Sequence, residues 1–194
     1  MAKSFGINKK KIAVFISGTG TNLNSLIKYS NSNKANFRIK LIVSNSIKAK
    51  GLTYAKKNKI KFKIINYNHK NYAEKKILIL LKKYKIKIIC LAGFMKIISS
   101  IFIKKFKGKI LNIHPSLLPK YKGLNTHERV IKNNEKYSGF TIHLVNSKID
   151  SGKIIFEKKV KISKTDNIKT LQNKILKFEN KYYPKILSKY LSNL

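Results

Sequence analysis

Three polar residues in an otherwise basic and aliphatic chain have the types and spacing for acyl chemistry: Asn112, His114 and Asp150. The first two lie in Leu111-Asn112-Ile113-His114-Pro115-Ser116-Leu117-Leu118-Pro119, where a predicted strand ends. Alternation along a strand puts both on one face, about 6–7 Å apart along the backbone. An Asn amide can donate to a developing oxyanion, and a protonated imidazole can stabilise that charge and deliver a proton. Asp150 is one of only 7 acidic residues and precedes Ser151-Gly152 in a predicted turn. A carboxylate beside an imidazole raises its pKa and fixes its tautomer. Taken singly, His114 also suits a satisfied buried histidine, and Asp150 an ordinary turn residue.

A second candidate is the turn Ser17-Gly18-Thr19-Gly20-Thr21-Asn22-Leu23, between the first predicted strand and the first helix. Glycines there let backbone N–H groups approach an anion, and a helix N-terminus adds favourable partial charge. A tight strand–helix turn with no ligand fits the same residues equally well. A dinucleotide site is excluded, because Leu23 stands where a third small residue is needed and the first acid in the chain is Glu74. A Walker A ending is also absent. A phosphate monoester is the ligand that these residues best suit.

The other polar groups are less informative. His69, His127 and His143 form no metal-ligand spacing with another His, Asp or Glu, so no metal is assigned. His143, in the apolar stretch Phe140–Val145, reads as structural. Cys90, inside Lys87-Ile88-Ile89-Cys90-Leu91, reads as a buried, inert thiol.

These residues need a frame to position them. Short apolar runs at Lys11–Ser17, Phe37–Ser44, Phe62–Asn66, Ile86–Ala92 and Lys109–His114 read as strands. Helices begin between them near Asn22, Ala49, Tyr72 and Ile97. That alternation predicts an α/β fold: one Rossmann-like domain with a mostly parallel central sheet flanked by helices. A short helix over Glu128–Asn133, capped by Thr126, follows the Pro115 loop. Gly139–Val145 and Lys153–Ile162 suit antiparallel strands added in the C-terminal part. A helix from about Asn167 to Tyr190 closes the chain, with Pro184 expected to kink or break it. Residues 1–10 read as a basic extension and 11–194 as the domain, with a phosphate-binding half over 11–110 and a catalytic half over 111–194.

Composition bounds the rest. The 194 residues suffice for one hydrophobic core, and 43% hydrophobic content argues against a disordered basic tail. A single cysteine excludes a disulfide framework. Neither a secretory signal nor an apolar run of about 18 residues is found, which predicts a cytoplasmic domain with no membrane partner. The net charge of +37 suggests nucleic acid at first sight. Nearly all of it is lysine, however, with Arg38 and Arg129 the only arginines, and Ile and Asn are abundant beside it. Nucleic-acid surfaces draw on the arginine fork, so AT-biased codon usage is the simpler reading and no specific nucleic-acid partner is expected.

Taken together, these motifs resemble the phosphoribosylglycinamide formyltransferases. The resemblance is carried by Ile16-Ser17-Gly18-Thr19-Gly20-Thr21-Asn22-Leu23, Leu91-Ala92-Gly93-Phe94-Met95-Lys96-Ile97-Ile98-Ser99 and Leu111 to Tyr121, in the family's order. It continues through Gly123-Leu124-Asn125-Thr126-His127 and Gly139-Phe140-Thr141-Ile142-His143 to Asp150-Ser151-Gly152. The resemblance implies formyl transfer from 10-formyltetrahydrofolate, as co-substrate, to the amine of glycinamide ribonucleotide, without a metal. It assigns oxyanion stabilisation to Asn112 and His114, proton donation to His114, and a pKa-raising and proton-shuttling role to Asp150. Gly20, Thr21, Asn22 and Glu179 match positions that hold the ribonucleotide. Met95, Lys96, Ile97 and Ile98, with Asn112 and the loop Asn146, Ser147, Lys148, Ile149 and Asp150, would surround the folate, and Lys70 matches a basic contact to it.

Lys122 replaces a usual proline, Asn125 a frequent histidine and Ser151 a common glycine. The family's C-terminal hairpin is expected to be missing after the last helix. Methionyl-tRNA formyltransferase shares the Asn/His/Asp chemistry and formyltetrahydrofolate deformylase also uses formyl-folate, but the C-terminal RNA-binding domain of the first and the N-terminal regulatory domain of the second are not expected within these 194 residues. A basic nucleic-acid-binding protein on the same scaffold would bind with a steep salt dependence. The expected assembly is a monomer or weak homodimer.

Overall fold

The computed structural model describes residues 9–194. Most of the expected N-terminal extension lies outside the described residues, and the first strand already begins at Lys10. Among the described residues seven strands and six helices follow one another, beginning with β1 (Lys10–Ile16), α1 (Thr21–Ser30), β2 (Phe37–Ser44), α2 (Gly51–Lys57), β3 (Phe62–Ile64), α3 (Lys70–Lys83) and β4 (Ile88–Leu91). The second half contains α4 (Ser100–Lys105), β5 (Lys109–His114), α5 (Thr126–Lys132), β6 (Tyr137–Leu144), β7 (Ile154–Lys161) and α6 (Ile168–Ser192). One sheet takes the order β3-β2-β1-β4-β5-β6-β7. β1 to β5 pair in parallel, whereas β6 and β7 join antiparallel. The strand order reverses between β1 and β4, the place where open α/β sheets leave a ligand crevice beyond their carboxyl ends.

Two-sided burial explains why β1 reads as an unbroken apolar run. Ile12, Val14 and Ile16 face a core closed by α1, α2, α5 and α6, whereas Ala13 and Phe15 face a second core under α3 and α4. On β5, Leu111 and Ile113 join the first core and Ile110 the second. Asn112 and His114 follow Ile110 on its face at the carboxyl end of the strand.

Three departures from the sequence expectation have identifiable physical reasons. The helix expected near Ile97 begins at Ser100, because the Ser99 hydroxyl caps it by accepting from the Phe102 amide. Residues 92–99 are therefore a loop, turned at Gly93, whose φ is +73°. Thr126 is the first residue of α5 and not its cap; Asn125 precedes it with φ +55°, a conformation that Asn tolerates. Pro184 does not break α6. Leu171, Ile175, Glu179, Tyr183, Leu187 and Leu191 recur every four residues on the buried side, and their packing outweighs the lost N–H.

Candidate active site

The strand β5 carries two of the three proposed catalytic groups, and the loop after β6 returns the third to them. His114 Nδ1 lies 3.4 Å from Asp150 Oδ2, and Asn112 Nδ2 lies 3.4 Å from Asp150 Oδ1. The structure thus brings Asn112, His114 and Asp150 together. Asp150 is held in the left-handed region at φ +44°, and Oδ2 also accepts from the Gly123 amide at 2.9 Å. Gly152 is required for the return, because a Cβ there would stand 1.7 Å from the Leu144 carbonyl oxygen.

Hydrogen bonding fixes the tautomers. His114 Nε2 sits 2.9 Å from the carbonyl of Tyr121, so it must carry a proton. Nδ1, facing Asp150, is then the nitrogen that gains and loses one. Burial lowers the pKa of His114 below its ordinary value, and the Tyr121 carbonyl and the Asp150 charge only partly oppose this. The expected upward pull of Asp150 is present, but the net shift is downward because the ring is desolvated. Burial pushes the Asp150 carboxyl up, yet the Gly123 amide and the neighbouring imidazoles hold it below its usual value.

His143, read from sequence as structural, belongs to this cluster. It pairs with Asn112 across the β5–β6 ladder, and its Nε2 lies 3.2 Å from Asn112 Nδ2 and 3.5 Å from Asp150 Oδ1. Its Nδ1 donates to the Leu144 carbonyl at 2.8 Å, which leaves Nε2 of the neutral ring to accept from the Asn112 amide. A register shift between β6 and β7 falls at Ile142/His143, and such bulges re-aim side chains beside active sites. The signal in the sequence was the pairing: two alternating strands on either side of one loop set Asn112 opposite His143.

The glycine turn stands at the switch point. Gly20, at φ +74°, occupies the N-cap of α1 without any side-chain cap, so the first-turn amides at Thr21 and Asn22 remain available to an anion. A Cβ on Gly20 would be 2.4 Å from Gly51 Cα, so two glycines let this turn lie against the start of α2. Asn22 Nδ2 donates to Glu179 Oε2 at 2.8 Å, and the buried Asn22 Oδ1 has no partner among the described residues. Of the proposed ribonucleotide positions Gly20, Thr21, Asn22 and Glu179, the first three are consecutive in the turn and Asn22 joins them to Glu179. Glu179 interrupts the apolar stripe of α6 while only 5% exposed.

Burial pushes the Glu179 carboxyl up to about 7, against an ordinary 4.5, with the Asn22 bond opposing. A raised carboxyl pKa stabilises the fold fully below about 4.5, and that contribution is lost as pH rises to about 7. Relative to Glu179→Gln, the wild type should lose about 3 kcal/mol over that window. Denaturant unfolding of both proteins between pH 4 and 8 checks it. Parallel stability curves would show that Glu179 is ionised in the fold.

The proposed folate positions form two groups. Lys70 begins α3, and Met95, Lys96 and Ile97 stand exposed on the loop after β4, whereas Ile98 packs into the second core. Asn146 organises its loop by accepting from Lys148 N at 3.0 Å and donating to the Ser151 carbonyl at 3.1 Å, with Ser147 exposed and Ile149 half-exposed beside Asp150. Cys90 is buried and its thiol is pushed up to about 12. Among the described residues no group of three or more His, Cys, Asp or Glu side chains is placed to hold a metal ion. No described helix is long and apolar enough to cross a membrane.

Comparison with known proteins gives the arrangement a family. Residues 10–187 match the formyl transferase family model. The chain is 39% identical over 181 residues to the phosphoribosylglycinamide formyltransferase of Haemophilus influenzae, covering 92% of this chain and 85% of that protein. It is 40% identical over 185 residues to the trifunctional purine biosynthetic protein adenosine-3 of Gallus gallus; this covers 93% of the chain but spans only 18% of that longer protein. The crystal structure of the Bacillus halodurans phosphoribosylglycinamide formyltransferase superposes with a TM-score of 0.91 at 33% identity, over 94% of this chain and 96% of that one. With its sheet order, its Asn–His–Asp cluster and these matches in agreement, the chain belongs to the formyl transferase family, among the phosphoribosylglycinamide formyltransferases.

Proposed function

We propose that the protein transfers the formyl group of 10-formyltetrahydrofolate to the amine of 5'-phosphoribosylglycinamide, yielding the N-formyl ribonucleotide and tetrahydrofolate in purine biosynthesis. The observation that carries this reading is the convergence of Asn112, His114 and Asp150 within 3.4 Å contacts at the carboxyl end of β5. The turn at Gly20–Asn22 takes the phosphate, and Glu179 with the unpartnered Asn22 Oδ1 offers acceptors to the ribose hydroxyls. Lys70, Met95 to Ile98 and Asn146 to Asp150 surround the folate. Residues 11–110 then hold mainly the ribonucleotide, and 111–194 carry the chemistry.

The substrate amine attacks the formyl carbon and the carbonyl electrons move onto oxygen. Asn112 Nδ2–H and protonated His114 stabilise that oxyanion in a partly desolvated site. His114 then gives its proton to folate N10 as the C–N10 bond breaks and the carbonyl re-forms, and the proton lost by the amine, passed through water held by Asp150, restores it. Both Asn112 donors are engaged at rest, and the 3.4 Å contact to Asp150 is the longer and the easier to exchange for an oxyanion. No step requires a metal. We infer a cytoplasmic monomer or weak homodimer.

The binding half of this reading is tested with Asn22→Ala. It should weaken the ribonucleotide Kd by about three- to tenfold, the scale of one lost hydrogen bond to a ribose hydroxyl, and leave kcat within about twofold at saturation. Calorimetric titration gives the Kd. An unchanged value would remove the Asn22 side chain from the substrate site.

A further inference from the structure

Three loops leave the carboxyl ends of β1, β2 and β4, and one hydroxyl joins them. Ser17 Oγ donates to Asn45 Oδ1 and accepts from the Met95 amide at 2.7 Å, while the Ser17 amide donates to the Gly93 carbonyl at 3.0 Å. The β1–β4 ladder ends at the Phe15–Leu91 pair, so beyond the Ala92 and Ser17 amides this side chain is what spans the gap where strand order reverses. On one side Ser17 opens the turn that presents the α1 amides. On the other it fixes the backbone of Met95, which is 64% exposed and followed by Ile97 at 62%.

The far end of that loop is held as well. Glu74 on α3 is 4% exposed, and its two oxygens accept from the Ser99 amide at 2.8 Å and from the Ser99 hydroxyl. Ser99 in turn caps α4. Between the anchors Phe94 packs edge-on to Phe15 and Tyr67, each at 5.4 Å between ring centroids. The exposed Met95–Ile97 segment therefore sits on a backbone fixed at both ends, one of them shared with the anion-binding turn.

We propose that Ser17 is a positioning residue that couples the two substrate sites: ordering the turn with ribonucleotide orders the Met95 segment for the folate, and the reverse. Glu74 pins the same segment to α3 and sets folate affinity without coupling it to the ribonucleotide. The inference rests on the functional reading above. Coupling between sites is reciprocal and measurable as a ratio of affinities.

The experiment uses the unreactive pair tetrahydrofolate and 5'-phosphoribosylglycinamide, titrated calorimetrically alone and together, with turnover measured alongside. Wild-type protein should bind tetrahydrofolate about 5–10-fold more tightly when the ribonucleotide is saturating, the scale of one or two hydrogen bonds. Ser17→Ala should bring that ratio to about one and raise KM for the formyl-folate with little change in kcat. Glu74→Gln should weaken tetrahydrofolate binding equally with and without ribonucleotide and keep the ratio. A ratio of one in the wild type, or one that Ser17→Ala leaves unchanged, overturns the coupling while wild-type turnover still upholds the reaction. Absence of ribonucleotide-dependent turnover overturns both. A purely structural role would lower kcat and folate affinity together in Ser17→Ala and leave the ratio intact, which also contradicts the proposal.

Discussion

Asp150→Asn is expected to lower kcat by about 10²–10⁴, the span of general acid–base contributions, and to leave ribonucleotide affinity within about twofold. The substitution preserves size and an oxygen able to accept from the Gly123 amide, so the loop conformation has support. What it removes is the charge 3.4 Å from His114 Nδ1. Burial already lowers the His114 pKa, and the Asp150 charge is one of the two influences that oppose burial. Without it, protonated His114 becomes scarcer at neutral pH. The sign follows: the limb of the kcat profile that falls with rising pH, where His114 loses its proton, should move to lower pH in the variant. Single-turnover rates across pH 5–9 test this, and a variant with normal turnover would remove Asp150 from the proton path.

Asn112→Ala should cost about 10²–10³ in kcat, the effect of deleting one oxyanion donor. The amide has two N–H groups, and they face His143 and Asp150. Asn112→Asp should be worse than alanine. It deletes the donors and sets a second carboxylate beside Asp150, and like charges at that separation disfavour joint ionisation. Steady-state kinetics with both substrates saturating separates this loss from binding. Equal kcat in Asn112→Ala and wild type would place the oxyanion elsewhere.

The fold was legible wherever one physical rule decided the outcome. Phe37–Ser44 and Lys109–His114 match their strands to the residue, because two-sided burial demands continuous apolar runs. The rule failed at element ends set by partners distant in sequence. α4 starts at its Ser99 cap, and Glu74 holds that cap from 25 residues away through the Ser99 amide, a contact no local pattern around Ile97 reveals. Pro184 suggested a break because propensity argued for one, whereas the Leu171–Leu191 stripe, readable in the same residues, prevailed.

The site followed the same division. Asn112, His114 and Asp150 stood out by type in a chain poor in acids. His143 did not, since its role comes from cross-strand pairing with Asn112 and a register shift beside it. The net shift of His114 was likewise unreadable, because a neighbour's sign is visible in sequence but the depth of burial is not. Ser17 was visible only as the start of a glycine turn, and its bond to Met95 bridges 78 residues.

The central claim is that these groups move a formyl unit onto a ribonucleotide amine. A spectrophotometric assay with purified protein, 5'-phosphoribosylglycinamide and 10-formyltetrahydrofolate measures it by following release of the deformylated folate. Release that depends on the ribonucleotide, with one N-formyl product formed per folate released, is the predicted result. Release without the ribonucleotide would mark a hydrolase, and no release with either would contradict the account.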